Sequence, residues 1–134
     1  MGKLTVVGAG LALASLLAPQ GALAQGTISV SESAVATNVV DLMPVESGTS
    51  FRADVGRVYA WTRITGADNG GTTIHHVWFQ GDVERADLDL QIGGSPWRTW
   101  SNKAIPPEWA GNWRVEVRDS RGNVIETLSF NVGG

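Results

Sequence analysis

His75 and His76 are the residues of this 134-residue chain best suited to holding a metal or moving a proton. They lie in Ile74-His75-His76-Val77-Trp78, where apolar and polar residues alternate as in a strand. Adjacent strand residues point to opposite faces, so the two imidazoles cannot converge on one ion without a bulge. His76 shares a face with Ile74 and Trp78, and His75 shares one with Val77 and Phe79. The chain has no cysteine, so a transition-metal site would have to be completed by carboxylates. The expectation is no metal and no cofactor, with an imidazole hydrogen-bonded to backbone at the edge of a tryptophan cluster. Asp82, Glu84, Asp87 and Asp89 follow, and Asp87 and Asp89 share a strand face. No Asp-x-Asp-x-Asp-Gly loop accompanies them to supply calcium with its six to eight oxygens, so they read as a solvated face. Ser101 has no obvious base nearby, and the Gly-x-Ser-x-Gly elbow is missing. No catalytic residue is expected.

The tryptophans carry the remaining chemistry. Four of the six fall in His75-His76-Val77-Trp78, Trp97-Arg98-Thr99-Trp100-Ser101 and Gly111-Asn112-Trp113-Arg114-Val115. A ring of that size buries about 150–250 Å² and in a small β-domain normally belongs to the core. The period of two divides them, however. Trp97 lies with Thr99 and Ser101, and Trp100 with Arg98 and Asn102, so a regular strand turns at most one of those rings inward. Trp61 lies with Tyr59 and Arg63, opposite Val58, Ala60 and Ile64. Aromatic rings beside arginines suit a platform for a partner protein or a sugar ring. The candidate binding residues are therefore Trp100, Arg98, Trp61, Tyr59, Arg63 and His75, weighed against arginines merely stacked on structural rings.

The elements that must position them are strands. Ile28 to Val40 reads as one or two, with a loop around Met43-Pro44 and Ser47-Gly48-Thr49. Val55 to Thr65 alternates cleanly; Gly66 to Gly71 is dense in turn residues and predicts a hairpin returning through Thr72 to Gln80. Val83 to Ile92 and Trp97 to Ile105 follow, then Pro106-Pro107, which cannot continue a ladder. Asn112 to Asp119 and Asn123 to Val132 form a last pair. About seven strands with turn signals at short spacing predict an all-β fold, a small antiparallel β-sandwich of immunoglobulin-like type. A small closed barrel is the alternative.

Met1-Gly2-Lys3, the uncharged run Leu4 to Ala18 and Ala22-Leu23-Ala24 have the form of a secretory signal peptide. The run is shorter than the roughly 20 apolar residues of a spanning helix, so residues 1–24 are expected to be cleaved. Residues 25–134 then form a single β-sandwich domain, periplasmic or secreted, meeting a membrane only if the leader stays as an anchor. Lys3 is the leader's one charge, so its removal takes the net charge from −3 to −4. Scattered charges of that balance exclude the clustered basic face a nucleic-acid partner requires.

Tyr59-Ala60-Trp61-Thr62, His76-Val77-Trp78, Trp97 to Lys103, Gly111 to Val115 and Gly122…Phe130-Asn131-Val132 together resemble the DUF2914 family of bacterial envelope domains, over Val58 to Val132. Asp41-Leu42-Met43-Pro44-Val45 would match that family's early proline-containing segment. The resemblance implies a small extracytoplasmic β-domain, sometimes attached to membrane segments, and no catalytic residue. The function expected is a noncatalytic binding or assembly module for another envelope protein or complex, with a carbohydrate-binding module for envelope glycans as the alternative.

Overall fold

The computed structural model describes residues 27–67 and 71–134, and among them the chain forms nine β-strands. The expected signal peptide lies outside the described residues. In chain order the strands are β1 (Ser29–Val40), β2 (Met43–Ser47), β3 (Ser50–Phe51), β4 (Gly56–Thr65), β5 (Thr72–Gln80), β6 (Val83–Ile92), β7 (Trp97–Ile105), β8 (Gly111–Arg118) and β9 (Val124–Val132). Among the described residues one 3-10 turn, Pro107–Trp109, follows β7 and begins at the second of the two prolines.

These strands make two sheets, ordered β2-β1-β4-β7 and β3-β9-β8-β5-β6. All pairings are antiparallel except the short β3, which runs parallel to β9 with Asn131 opposite Ser50 and Val132 opposite Phe51. Strands that alternate between two packed sheets give an immunoglobulin-like sandwich.

The inward residues are those the alternation selects. Val58, Ala60 and Ile64 of one sheet face Ile74, Trp78, Val115, Val117, Leu128, Phe130 and Val132 of the other, all buried. Phe130 sits at the centre of the aromatic part, its centroid 5.9 Å from that of Phe51 and 6.1 Å from those of Trp78 and Trp113. Trp113 fills its place with its polar end satisfied, Nε1 donating to the Trp109 carbonyl at 2.8 Å. Phe130 lies beside Trp113 on the neighbouring strand of the same sheet rather than across the core, since the two are register partners.

Two expectations are corrected. The segment around Met43-Pro44 is a strand, Met43–Ser47, not a loop, and Ser50–Phe51 adds a short one, so the described residues hold nine strands rather than about seven. Pro44 does not prevent this, because β2 is an edge strand. Gly66 to Gly71 does not close a hairpin either: β4 pairs with β1 and β7, whereas β5 pairs with β6 and β8. The connection crosses from one sheet to the other. Both strands present an apolar face to the same core, so the turn residues are equally at home in either connection.

Candidate binding surface

The outer face of the four-stranded sheet gathers five of the six candidate residues. Register places Tyr59 opposite Asn102, Trp61 opposite Trp100, and Arg63 opposite Arg98. The arginines are not paired to acids. Arg57 donates to the Asn102 side chain and Arg63 to Ser31 Oγ at 2.8 Å, while Arg98 is exposed with neither ion pair nor hydrogen bond. Two arginines directly opposite each other repel, and Glu32, the register partner of Arg63 on β1, forms no ion pair with it. The face therefore keeps free positive charge on an acidic chain.

Trp61 is not an open platform. It is only 2% exposed, because the β1–β2 hairpin folds across it and its Nε1 donates to the Leu42 carbonyl at 2.8 Å. Leu42 also lines a shallow cleft with Pro96, Trp97 and Arg98. Trp100 and Tyr59 are half-buried, and Trp97, on the inward-facing set at the strand's end, is 39% exposed. Around them the hairpin presents Val40, Leu42, Met43 and Val45, each between 37% and 50% exposed. This apolar tip is not legible from the sequence, because the segment around Met43-Pro44 reads as a loop.

The hairpin turn itself is strained. Asp41 and Leu42 have φ of 52° and 67°, the left-handed pair of a type I′ turn, which prefers Asn-Gly or Asp-Gly. A leucine there costs about 1–2 kcal/mol of backbone strain, and half its surface remains in water. Leu42→Gly should therefore keep or raise the melting temperature. A fall of several degrees in thermal melting would mean that the side chain is held by packing rather than displayed.

His75 stands apart from this surface. It lies on the outer face of the five-stranded sheet, its Nδ1 2.7 Å from Asp89 Oδ1 and 3.3 Å from Asp87 Oδ1. The cations that sit over rings are also elsewhere than expected. Arg85 lies 4.0 Å and Lys103 5.2 Å from the Trp109 ring, and Arg114 lies 4.1 Å from that of Phe79. Arg114 and Arg118 both bond Glu116, whose carboxyl is held below its ordinary range chiefly by the hydrogen bond from Arg118.

Ser101 does have a base beside it, contrary to expectation. His76 Nδ1 is 2.7 Å from Ser101 Oγ, and Trp78 Nε1 donates to the same oxygen at 3.0 Å. On the other side His76 Nε2 is 3.3 Å from Thr62 Oγ1, which donates to the Thr99 carbonyl at 3.2 Å. Because the Thr62 hydroxyl proton is committed, Nε2 must carry the imidazole proton and Nδ1 must accept from Ser101. The chain of donors runs without a gap from Trp78 to Thr99 and links the two sheets. His76 bonds to side chains of the opposite sheet, not to backbone at the edge of the cluster as the sequence suggested. Burial pushes its pKa down to about 4. His76 and Thr62 are fully buried and Ser101 nearly so, so this nucleophile–base geometry is enclosed within the core.

Two sheets around a core with one buried polar bridge define an immunoglobulin-like β-sandwich. Residues 71–132 match the family described as "Protein of unknown function (DUF2914)", which supports the resemblance read from the tryptophan motifs. The match begins after β4, so the Tyr59 to Thr62 and Asp41 to Val45 motifs precede it. No curated protein matches the chain. Among solved structures, one similar chain is the alkylpurine DNA glycosylase AlkC of Pseudomonas fluorescens bound to DNA containing an abasic site analog. It is 10% identical with a TM-score of 0.46, covering 84% of this chain and 32% of that one. The β-glucosidase of Listeria innocua in complex with glucose is 13% identical with a TM-score of 0.44, covering 81% and 16%. The GH3 β-glucosidase of Bifidobacterium adolescentis is 12% identical with a TM-score of 0.43, covering 82% and 18%. This chain spans a third or less of each of them, and likeness at this level carries no argument about activity.

Proposed function

We propose that this chain is a noncatalytic extracytoplasmic module, periplasmic or secreted, that binds another envelope protein or complex. It docks through the β1–β2 hairpin tip and the arginine-bearing face beside it. The observation that carries the reading is the grouping of exposed apolar side chains. Of the eight large ones among the described residues, Val40, Leu42, Met43 and Val45 sit on this hairpin. A fifth, Trp97, shares the Leu42 cleft with Arg98. Scattered single apolar side chains are ordinary on a surface, but a grouped set with an aromatic and an arginine is the composition of an interface centre. Strain kept at Leu42 for a half-exposed side chain fits the same reading. A glycan would need an open ring face, and the most central ring, Trp61, is covered. The extracytoplasmic placement rests on Ala22-Leu23-Ala24.

The test is a pull-down from envelope extract with the immobilised domain, run beside a glycan array. A defined protein partner is expected, with recovery reduced at least tenfold by Arg98→Glu and by Leu42→Gly. Selective glycan binding that quenches tryptophan fluorescence, with no protein recovered, would overturn the reading.

A further inference from the structure

The outer face of the five-stranded sheet carries a second constellation, on the opposite side of the sandwich from the proposed docking surface. Asp87 and Asp89 occupy alternate positions of β6, and register sets Asp89 directly opposite His75 on β5. One donor atom from each of the three side chains lies within 4.8 Å of the other two. Zinc-to-donor bonds of about 2.0–2.2 Å place tetrahedral ligands about 3.4 Å apart. The His75 Nδ1 distances to the two carboxylates, 2.7 and 3.3 Å, both fall below that spacing, the longer one only slightly, so a bound ion would need the donors to move apart only a little.

A neighbouring cation that should neutralise these carboxylates is drawn elsewhere. Arg118 is the register partner of His75 on its other side. Yet its guanidinium bonds Glu116 Oε1 through Nε at 3.1 Å and Nη2 at 2.5 Å, and it forms no ion pair with Asp87 or Asp89. The two carboxylates are left with an imidazole as their one partner. All three donors stand on paired strands, which hold ligand geometry better than loops do. The imidazole separates this set from an ordinary acidic patch, because nitrogen beside two oxygens suits borderline first-row cations over magnesium or calcium.

We propose that His75 Nδ1, Asp87 Oδ1 and Asp89 Oδ1 form a three-donor site for a divalent cation of the zinc class. Water completes the coordination on the solvent side. The sequence had left His75 without a second nitrogen and set the aspartates aside as a solvated face; the β5–β6 register is what brings them together.

The experiment is calorimetric titration of the full chain, without a polyhistidine tag, using Zn²⁺ and then Mg²⁺. One saturable zinc site per chain is expected, at least tenfold weaker in His75→Ala and in Asp89→Asn, with Mg²⁺ binding much more weakly than Zn²⁺. Asp89 is exposed and His75 half-buried on the outer face, outside the core, so metal-free melting should stay close to wild type and confirm that a lost site is not a lost fold. Absence of saturable zinc binding, or binding unchanged in His75→Ala, would overturn the assignment.

Discussion

Trp78→Ala should leave the domain barely folded. The ring is fully buried, packs edge-on against Phe130, and donates through Nε1 to Ser101. Removing it opens a cavity in a core that cannot collapse around it, at a cost of about 3–5 kcal/mol. That is a large part of the roughly 5–15 kcal/mol by which a domain is stable. The loss reaches past packing, since Ser101 would keep its bond to His76 but lose the donor that fixes its orientation. Trp113→Ala should be nearly as severe, because that ring stacks on Phe130 at an interplanar angle of 18°. Trp100→Ala, which truncates a half-buried ring on the outer face, should cost much less. Urea and thermal unfolding of the three variants beside wild type decide the matter. A Trp78→Ala protein melting within a few degrees of wild type would mean that the aromatic cluster does not carry the core.

Stability should also fall steeply as the solution is acidified through the range in which His76 would charge if unfolded. Its pKa is about 4 in the folded state against an ordinary 6.5, and desolvation is the cause. Between those values the unfolded chain binds the proton and the folded chain resists it, so stability rises with pH across that window. The contribution is therefore whole above about pH 6.5, declines below it, and has no more to lose below about pH 4. A difference of roughly 2.5 pKa units corresponds to about 3 kcal/mol. The hydrogen-bond chain explains why the fold does not adapt: a proton on Nδ1 would meet the Ser101 hydroxyl that now donates to it. Urea unfolding at intervals from pH 7 to 4 should show this slope in wild type and lose most of it in His76→Asn, whatever that variant's stability at neutral pH. Equal slopes in the two proteins would show that the imidazole charges freely in the fold.

Alternation made the strand faces readable, because burial in a sandwich is decided one residue at a time. Val58, Ala60 and Ile64 are inward, and Trp113, Val115 and Val117 are inward against Arg114, Glu116 and Arg118. Pairing was less readable. The turn after Thr65 is compatible with a hairpin or a crossing between sheets, and only the tertiary arrangement separates them. The same ignorance of partners hid both polar constellations. Ser101 and His76 are 25 residues apart in sequence, and nothing in either strand signals that they meet across the core. Trp61 lies on the outer face that its alternation selects, but it is buried there, because Leu42 covers it from a hairpin whose turn lacks the glycine that usually marks one. Arg63 and Arg98 share that outer face, and their lack of acidic partners is visible only with the register.

The parallel pairing of β3 with β9, and the crossing after β4, bear on where this protein can be divided. The span that matches the family model, residues 71–132, contains β5, β6, β8 and β9 of the five-stranded sheet but only β7 of the other. Isolated, it would be a sheet with its apolar side uncovered: Ile74, Trp78, Val115 and Phe130 would face water where Val58, Ala60 and Ile64 now lie. The segment by which the chain is recognised and the unit that folds are therefore different lengths of polypeptide. The match falls on the later strands, while the earlier ones supply the cover for the core and the hairpin proposed to meet the partner.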